Sequence, residues 1–74
     1  MTIVLLCYST SEVLFINLTP EEIKKSEEYD NFEEFLYTLQ NRYSFRLKDC
    51  YWLVTDDPQV TVYKEGKEYE TYTL

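Results

Sequence analysis

The clearest hydrophobic pattern in the chain lies between residues 30 and 43, where apolar side chains recur every three or four positions. These side chains are Phe32, Phe35, Leu36, Leu39 and Tyr43. At about 100° per residue they form one stripe about 100° wide along a helix. Asp30 and Asn31 are both suitable N-caps, each with a glutamate three residues further on that completes a capping box. The pattern predicts an amphipathic helix that must lie on an apolar surface.

Five further runs predict β-strands. They cover residues 2–8, 12–18, 50–54, 59–63 and 67–74. The first two are almost continuously apolar and are separated by a short polar connector, which predicts an antiparallel hairpin. The third is also apolar throughout, whereas the fourth alternates and is followed by a turn at Glu65-Gly66.

The register of the last hairpin has two solutions. A two-residue loop sets Val62 opposite Tyr69, whereas a three-residue loop sets Val62 opposite Glu68. We expect the two-residue loop, because it keeps the apolar pair together, although it also sets Lys64 opposite Lys67.

A shorter helix is predicted directly after the second strand. Thr19 is a suitable N-cap, Pro20 occupies the first helical position, and Glu22 completes a capping box. Because Ile23 is the one apolar residue between positions 21 and 28, this helix is expected to be short and mostly solvated.

The predicted order is therefore β-β-α-α-β-β-β, an α+β fold formed by a single small domain over residues 1–74. We expect an antiparallel or mixed sheet with the main helix and the short helix on one face. The leading β-β-α-β order resembles a β-grasp arrangement, of which ubiquitin-like modules are the familiar case. The expected core residues are Phe32, Phe35, Leu36, Leu39, Leu5, Leu14, Ile16, Leu53 and Val54.

Three of the strands lack polar alternation, which is typical of strands that are buried on both faces. One main helix and one short polar helix can cover a single face only. The opposite face would then expose either Ile3, Leu5, Val13 and Phe15, or Val4, Leu6, Leu14 and Ile16. A homodimer that closes this face is the expected solution.

Charge narrows the choice of partners. The 74-residue chain has 14 acidic and 7 basic residues, which gives a net charge of −7. Nucleic acid and anionic membranes would be repelled, so a basic protein surface is the expected partner. No apolar run approaches transmembrane length, and we expect a soluble, cytoplasmic protein.

The sequence contains few candidate catalytic residues. The chain has no histidine, which removes the usual general base and the commonest metal ligand. Cys7 and Cys50 lack CxxC spacing and lie in apolar runs, so we expect reduced core cysteines. We therefore expect a protein that is not an enzyme and binds no cofactor and no metal.

Two surface clusters are candidate binding sites. The first is acidic and would form one face across both helices, through Glu21, Glu22, Glu27, Glu28, Asp30, Glu33, Glu34 and Tyr37. The second is basic, through Arg42, Arg46 and Lys48 beside aromatic residues, a composition that can bind single-stranded nucleic acid. In the alternative interpretation the acidic face is merely solvated, and Arg42 and Arg46 pair with carboxylates.

These features lead to three hypotheses about function. The first is a non-catalytic protein–protein interaction module whose acidic face binds a basic partner. In size and acidity it resembles small inhibitors encoded by viruses or mobile elements, including nucleic-acid mimics. The second is a structural or assembly module that self-associates through its sheet, and the third is a weak single-stranded nucleic-acid binder.

Overall fold

The computed structural model describes residues 1–74, with five strands and two α-helices. The strands are β1 (Thr2–Cys7), β2 (Glu12–Asn17), β3 (Cys50–Thr55), β4 (Gln59–Lys64) and β5 (Lys67–Thr73). The helices are α1 (Pro20–Ser26) and α2 (Phe32–Tyr43), and a short 3₁₀ helix covers Leu47–Asp49. The α+β class, the element order, and the division into one main and one short helix are thereby confirmed.

Each helix begins directly after a residue whose side chain accepts a hydrogen bond from a free backbone amide of the first turn. Thr19 caps α1: its hydroxyl accepts from the Glu22 N–H at 3.1 Å, and the Glu22 carboxylate accepts from the Thr19 N–H at 2.9 Å. Of the two N-caps that the sequence offered for α2, the structure uses Asn31, whose side-chain oxygen accepts from the Glu33 N–H at 2.8 Å.

The first sheet has the order β2-β1-β3, and β1 is antiparallel to both neighbours. β2 and β3 therefore run in the same direction on either side of β1, with the helices forming the crossover between them. A β-grasp sheet pairs its first strand in parallel with its last strand. Here both neighbours of β1 are antiparallel and no strand pair is parallel, so the likeness to a β-grasp topology is wrong.

The core lies between this sheet and α2. It contains Ile3, Leu5, Cys7, Ile16, Leu18, Phe35, Leu36, Leu39, Phe45 and Leu47. Leu14, Phe32 and Trp52 are half-buried against it, with the Phe32 and Trp52 rings 5.9 Å apart. Every core residue that the sequence predicted on α2, β1 and β2 is therefore buried or packs against the core.

Two predicted core residues on β3 are wrong. Leu53 pairs with Val4 on the face opposite the helices and is 53% exposed. Val54 pairs with Ile3 on the helix side but is still 37% exposed, because β3 is an edge strand of this sheet. The continuous apolar run concealed an alternation in which Trp52 faces inward and Leu53 outward.

β4 and β5 form a separate two-stranded sheet joined by the predicted two-residue turn. Glu65 and Gly66 both have positive φ, at 54° and 76°, as a tight hairpin turn requires. A bulge next to the turn changes the register further along the strands, so that Val62 lies opposite Glu70. The expected Val62–Tyr69 pairing is therefore wrong, although the loop length was right.

This hairpin stands away from the rest of the molecule. β4 and β5 contact each other closely and make no extensive contact with a helix or with the first sheet. All seven residues of β5 are exposed. The principal-axis extents of 44 × 26 × 18 Å reflect the resulting elongated shape.

The core makes a direct stability prediction. Leu36 is fully buried on α2, so Leu36→Ala should reduce the free energy of unfolding by about 2–5 kcal/mol. Urea denaturation of a dilute sample measures this loss. Leu53→Ala is the matched control and should cost about 1 kcal/mol or less, because the side chain is already half-exposed. A loss under about 0.5 kcal/mol for Leu36→Ala would mean that α2 is docked elsewhere.

Candidate functional site

The face of the first sheet that points away from the helices is apolar across all three strands. Alternate residues of each strand reach this side, because successive side chains of a strand point to opposite faces. We call it the outer face, and its six central residues are Val4, Leu6, Val13, Phe15, Tyr51 and Leu53. Towards one end it finishes in Thr2, Asn17 and Thr55, so no strand residue on this side carries a charge.

Five of the six outer-face residues are exposed, and the sixth, Val4 on the central strand, is half-buried. Tyr51 is the most open, at 70% exposed. Tyr8 follows β1 and packs against Tyr51 with the ring centroids 5.5 Å apart. Its hydroxyl donates to the Lys48 carbonyl at 2.9 Å, which fixes the ring beside the outer face.

The exposed apolar area is large for a chain of this size. With aromatic side chains taken at about 150–250 Å² and aliphatic ones at less, the outer face and Tyr8 expose roughly 600 Å². The largest apolar patch on a typical monomer is about 300–600 Å² and is often functional. A shallow depression of about 200 Å³ lies at its edge near the β1–β2 connector, lined by Leu6, Tyr8, Val13 and Tyr51 together with Cys7, Ser11 and Glu12.

The expected uncovered face exists, but the groups of residues predicted for it were mixed. In the observed register Ile3 lies opposite Ile16, and Leu5 lies opposite Leu14. These four residues share the helix side of the sheet. The exposed four on β1 and β2 are therefore Val4, Leu6, Val13 and Phe15. Neither set proposed from the sequence was correct, because a one-residue choice of register decides which alternate residues face outward.

Most of the predicted acidic face is exposed. The exposed members are Glu21, Glu27, Glu28, Asp30, Glu33, Glu34 and Tyr37. Around α1 the carboxylates are interleaved with lysines: Lys24 and Lys25 share a groove of about 460 Å³ with Glu21, Glu27 and Glu28. The lysines of α1 therefore partly balance the negative charge of this region, although none of its exposed carboxylates forms an ion pair.

Glu22 does not belong to this surface. It is buried, and its second carboxylate oxygen accepts from the Tyr43 hydroxyl at 2.7 Å and lies 3.5 Å from an Arg42 guanidinium nitrogen. One carboxylate therefore caps the start of α1 through Thr19 and ties it to the end of α2. The prediction of an exposed Glu22 is wrong, because the sequence does not show that Tyr43 reaches back to it.

These contacts shift two ionisation equilibria. Burial alone raises the pKa of Glu22, but hydrogen bonds from the Thr19 backbone and the Tyr43 hydroxyl, with the charge of Arg42, bring the pKa below its ordinary 4.5. The hydrogen bond to Glu22, with burial second, raises the pKa of Tyr43 above its ordinary 10.0. Both shifts favour the ionised carboxylate beside a protonated tyrosine.

The three basic residues are all exposed, but two of them pair with carboxylates of the same chain. Arg42 is engaged with Glu22 and lies over the Tyr43 ring, 5.6 Å from its centroid. Arg46 pairs with Asp49 at 3.7 Å. Lys48 is exposed. Two of the three positive charges that single-stranded nucleic acid would require are therefore partly neutralised by carboxylates of the same chain.

The chain has neither a cluster of metal-ligating side chains nor a membrane-spanning helix. No group of three or more Cys, Asp and Glu side chains is arranged to hold a metal ion. Neither helix has the length and the apolar composition needed to cross a bilayer.

The contact of Glu22 with Tyr43 and Arg42 predicts that the stability of the fold depends on pH. Because the pKa of Glu22 is lower in the folded state, its stabilisation is present above pH 4.5 and is lost as the pH falls through the folded pKa. Glu22→Gln should cost about 1–3 kcal/mol at neutral pH, and its difference from the wild type should shrink below pH 4.5.

Thermal or urea unfolding between neutral pH and pH 3 measures this effect. Glu21→Gln is the matched control, since Glu21 is exposed in the same helical turn and should leave stability nearly unchanged. Equal losses in the two variants would show that the Glu22 contacts do not stabilise the fold.

No protein-family model matches the chain. Comparisons with curated proteins and with solved structures likewise give no match. The function is therefore inferred from the surfaces themselves.

Proposed function

We propose that this chain is a non-catalytic protein–protein interaction module that forms a symmetric homodimer through the outer face of its first sheet. The observation that carries the proposal is an uncharged, apolar face on a chain of net charge −7. The absence of histidine supports a non-catalytic role, because the chain lacks the usual general acid and base.

The uncharged outer face is a surface on which a second copy of this acidic chain meets little charge repulsion. Two strongly acidic copies repel each other, and a contact through a face without charges keeps their carboxylates far apart. A two-fold interface also places the same patch on both subunits, so an apolar surface is complementary to itself. A partner chosen for its basic charge would gain nothing from Leu6, Phe15 or Leu53.

The area is sufficient for a stable pair. Roughly 600 Å² from each chain gives about 1,200 Å² in total, at the lower limit of specific interfaces, which bury about 1,200–2,000 Å². Tyr8 and Tyr51 lie at one margin of the patch, and tyrosines combine a large apolar area with a polar tip that suits an interface rim.

The hairpin supplies a second reason to expect a partner. An isolated two-stranded hairpin is only marginally stable in water. Val60 lies opposite Tyr72, and by alternation Val62 shares their face, yet neither the helices nor the first sheet covers it. This face of the hairpin is therefore a second apolar surface available to a partner.

The dimer interface can be broken with one charge. Leu53→Glu places a carboxylate on the outer face, where desolvation would be costly, and should raise the dimer Kd by about 100-fold or more. Sedimentation equilibrium measures this change. Tyr37→Glu is the matched control, because it adds the same charge on α2, on the other side of the sheet, and should leave the Kd nearly unchanged.

Salt provides an independent test of the same proposal. Screening of like charges should strengthen the dimer as ionic strength rises. If the wild type stays a clean monomer at high micromolar concentration, or if Leu53→Glu and Tyr37→Glu behave alike, the outer face is not a dimer interface.

A second candidate function is binding of a basic protein by the acidic helices. It is favoured by the exposure of Glu33, Glu34 and Tyr37, a half-exposed aromatic residue, on the first turns of α2. In the proposed dimer the helices of both copies face outward, so a basic groove, including one that otherwise holds nucleic acid, could engage either copy.

This second function has its own test. Reversal of Glu27, Glu28, Glu33 and Glu34 to Lys should abolish partner binding without unfolding the chain, because exposed carboxylates contribute little to stability. Tyr37→Ala should also weaken binding, whereas Arg46→Glu should have little effect. Binding is measured by pull-down from the source cell and should weaken as salt rises. A partner that binds the four-Lys variant with unchanged affinity would show that the acidic surface is merely solvated.

A further inference from the structure

Cys7 and Cys50 lie directly opposite each other, at the end of β1 and the start of β3. The next pair along the ladder is hydrogen-bonded, since the Tyr8 N–H donates to the Asp49 carbonyl at 3.1 Å. Hydrogen-bonded and non-hydrogen-bonded pairs alternate in antiparallel strands, so the cysteines occupy a non-hydrogen-bonded position. The Cα atoms of such pairs are about 4.5 Å apart. That separation falls within the range of about 4.4–6.8 Å spanned by disulfides.

The two thiols are free and in direct contact. Their Sγ atoms are 2.6 Å apart, and the Cys50 thiol also lies 3.2 Å from the Arg46 carbonyl oxygen. A disulfide bond measures about 2.03–2.05 Å, so closing one requires little movement of either strand. The sequence predicted reduced core cysteines but did not show that the two lie side by side.

A small reagent can reach this pair. Cys7 is buried and Cys50 is half-buried, and both line an open groove of about 420 Å³ beside the end of α2. Gln40, Ser44 and Arg46 also line it, so the groove is polar and admits water-soluble molecules.

We propose that Cys7 and Cys50 form a redox-active pair that closes into a reversible cross-strand disulfide on reaction with a low-molecular-weight disulfide such as glutathione disulfide. The Cys50 thiol loses its proton and attacks one glutathione sulfur, which releases the first glutathione thiolate. The Cys7 thiol then loses its proton and attacks the Cys50 sulfur, which releases the second. Two protein thiols are oxidised, one glutathione disulfide is reduced, and the two protons end on two glutathione thiols.

The environment makes this exchange slow at neutral pH. Burial, followed by the neighbouring Cys7, raises the pKa of Cys50 to about 12. Because the thiolate is the attacking species, the rate of closure should rise steeply with pH. The pair is therefore suited to slow, stable oxidation and unsuited to rapid catalytic turnover.

Closure would tie the central strand to an edge strand. The loop between Cys7 and Cys50 contains β2, α1 and α2, and therefore most of the core. Cross-linking a loop of this length restricts the unfolded chain strongly. We expect the Tm of the oxidised form to exceed that of the reduced form by roughly 10 °C or more.

To test this, the native wild-type chain is incubated with glutathione disulfide and then unfolded. Free thiols are alkylated with iodoacetamide, and the mass of the product is measured by mass spectrometry. The expected product is a single chain with no covalent link to a second chain. It has lost the mass of two hydrogen atoms and is not alkylated by iodoacetamide. Dithiothreitol should restore two alkylatable thiols and reverse the rise in Tm.

Cys7→Ser and Cys50→Ser are the matched controls. Cys7→Ser keeps the half-buried Cys50 and should form a mixed disulfide with glutathione without a rise in Tm, whereas Cys50→Ser keeps only the buried Cys7 and should show no internal disulfide and no rise in Tm. The proposal is overturned if the wild type yields only glutathione adducts or covalent dimers, or if both thiols remain alkylatable. It is also overturned if the internal disulfide forms only in denaturant, since the native strands would then not hold the pair in register. None of these outcomes depends on the proposed dimer, because the covalent product is read from a single chain.

Discussion

One helix can cover only one face of a three-stranded sheet, and most of the structure follows from that limit. α2 places Phe35, Leu36 and Leu39 against the helix side of the sheet and leaves the other side uncovered. α1 does not cover the other side, because Ile23 is its one strongly apolar residue and its first turn is fixed beside the end of α2. The chain therefore contains a compact core on one side and an apolar, uncharged surface on the other. That asymmetry is the physical reason for proposing a second copy.

Polar contacts hold the helices in place where apolar contact is scarce. A single buried carboxylate, Glu22, satisfies the first turn of α1, binds the Tyr43 hydroxyl and meets Arg42. Such a group stabilises only while all its partners are present, since a buried charge without them is costly. The same residue therefore couples helix capping, helix packing and the sensitivity of the fold to acid.

The dimer proposal and the disulfide proposal both concern the first sheet. The outer face would associate with a second chain without charged contacts, whereas the cysteine pair would form a covalent bond within one chain. Tyr51 and Leu6 are the neighbours of Cys50 and Cys7 along their strands, so the pair lies at the same end of the sheet as the tyrosines but on its helix side. Oxidation would thus stiffen the end of the sheet at which Tyr8 and Tyr51 stack.

The sequence by itself determined the elements, because their signals are local: the apolar stripe of α2, the capping box of Thr19, and the two-residue turn at Glu65-Gly66. Tertiary structure decided what depends on partners distant in the chain. Only the register shows that Leu53 faces outward, that a bulge moves Val62 away from Tyr69, and that Cys7 meets Cys50. Glu22 gave no sign of burial, since its contact with Tyr43 joins positions 21 residues apart. Apolar runs without alternation cannot reveal which residue faces the core, because a shift of one position exchanges the two faces of a strand.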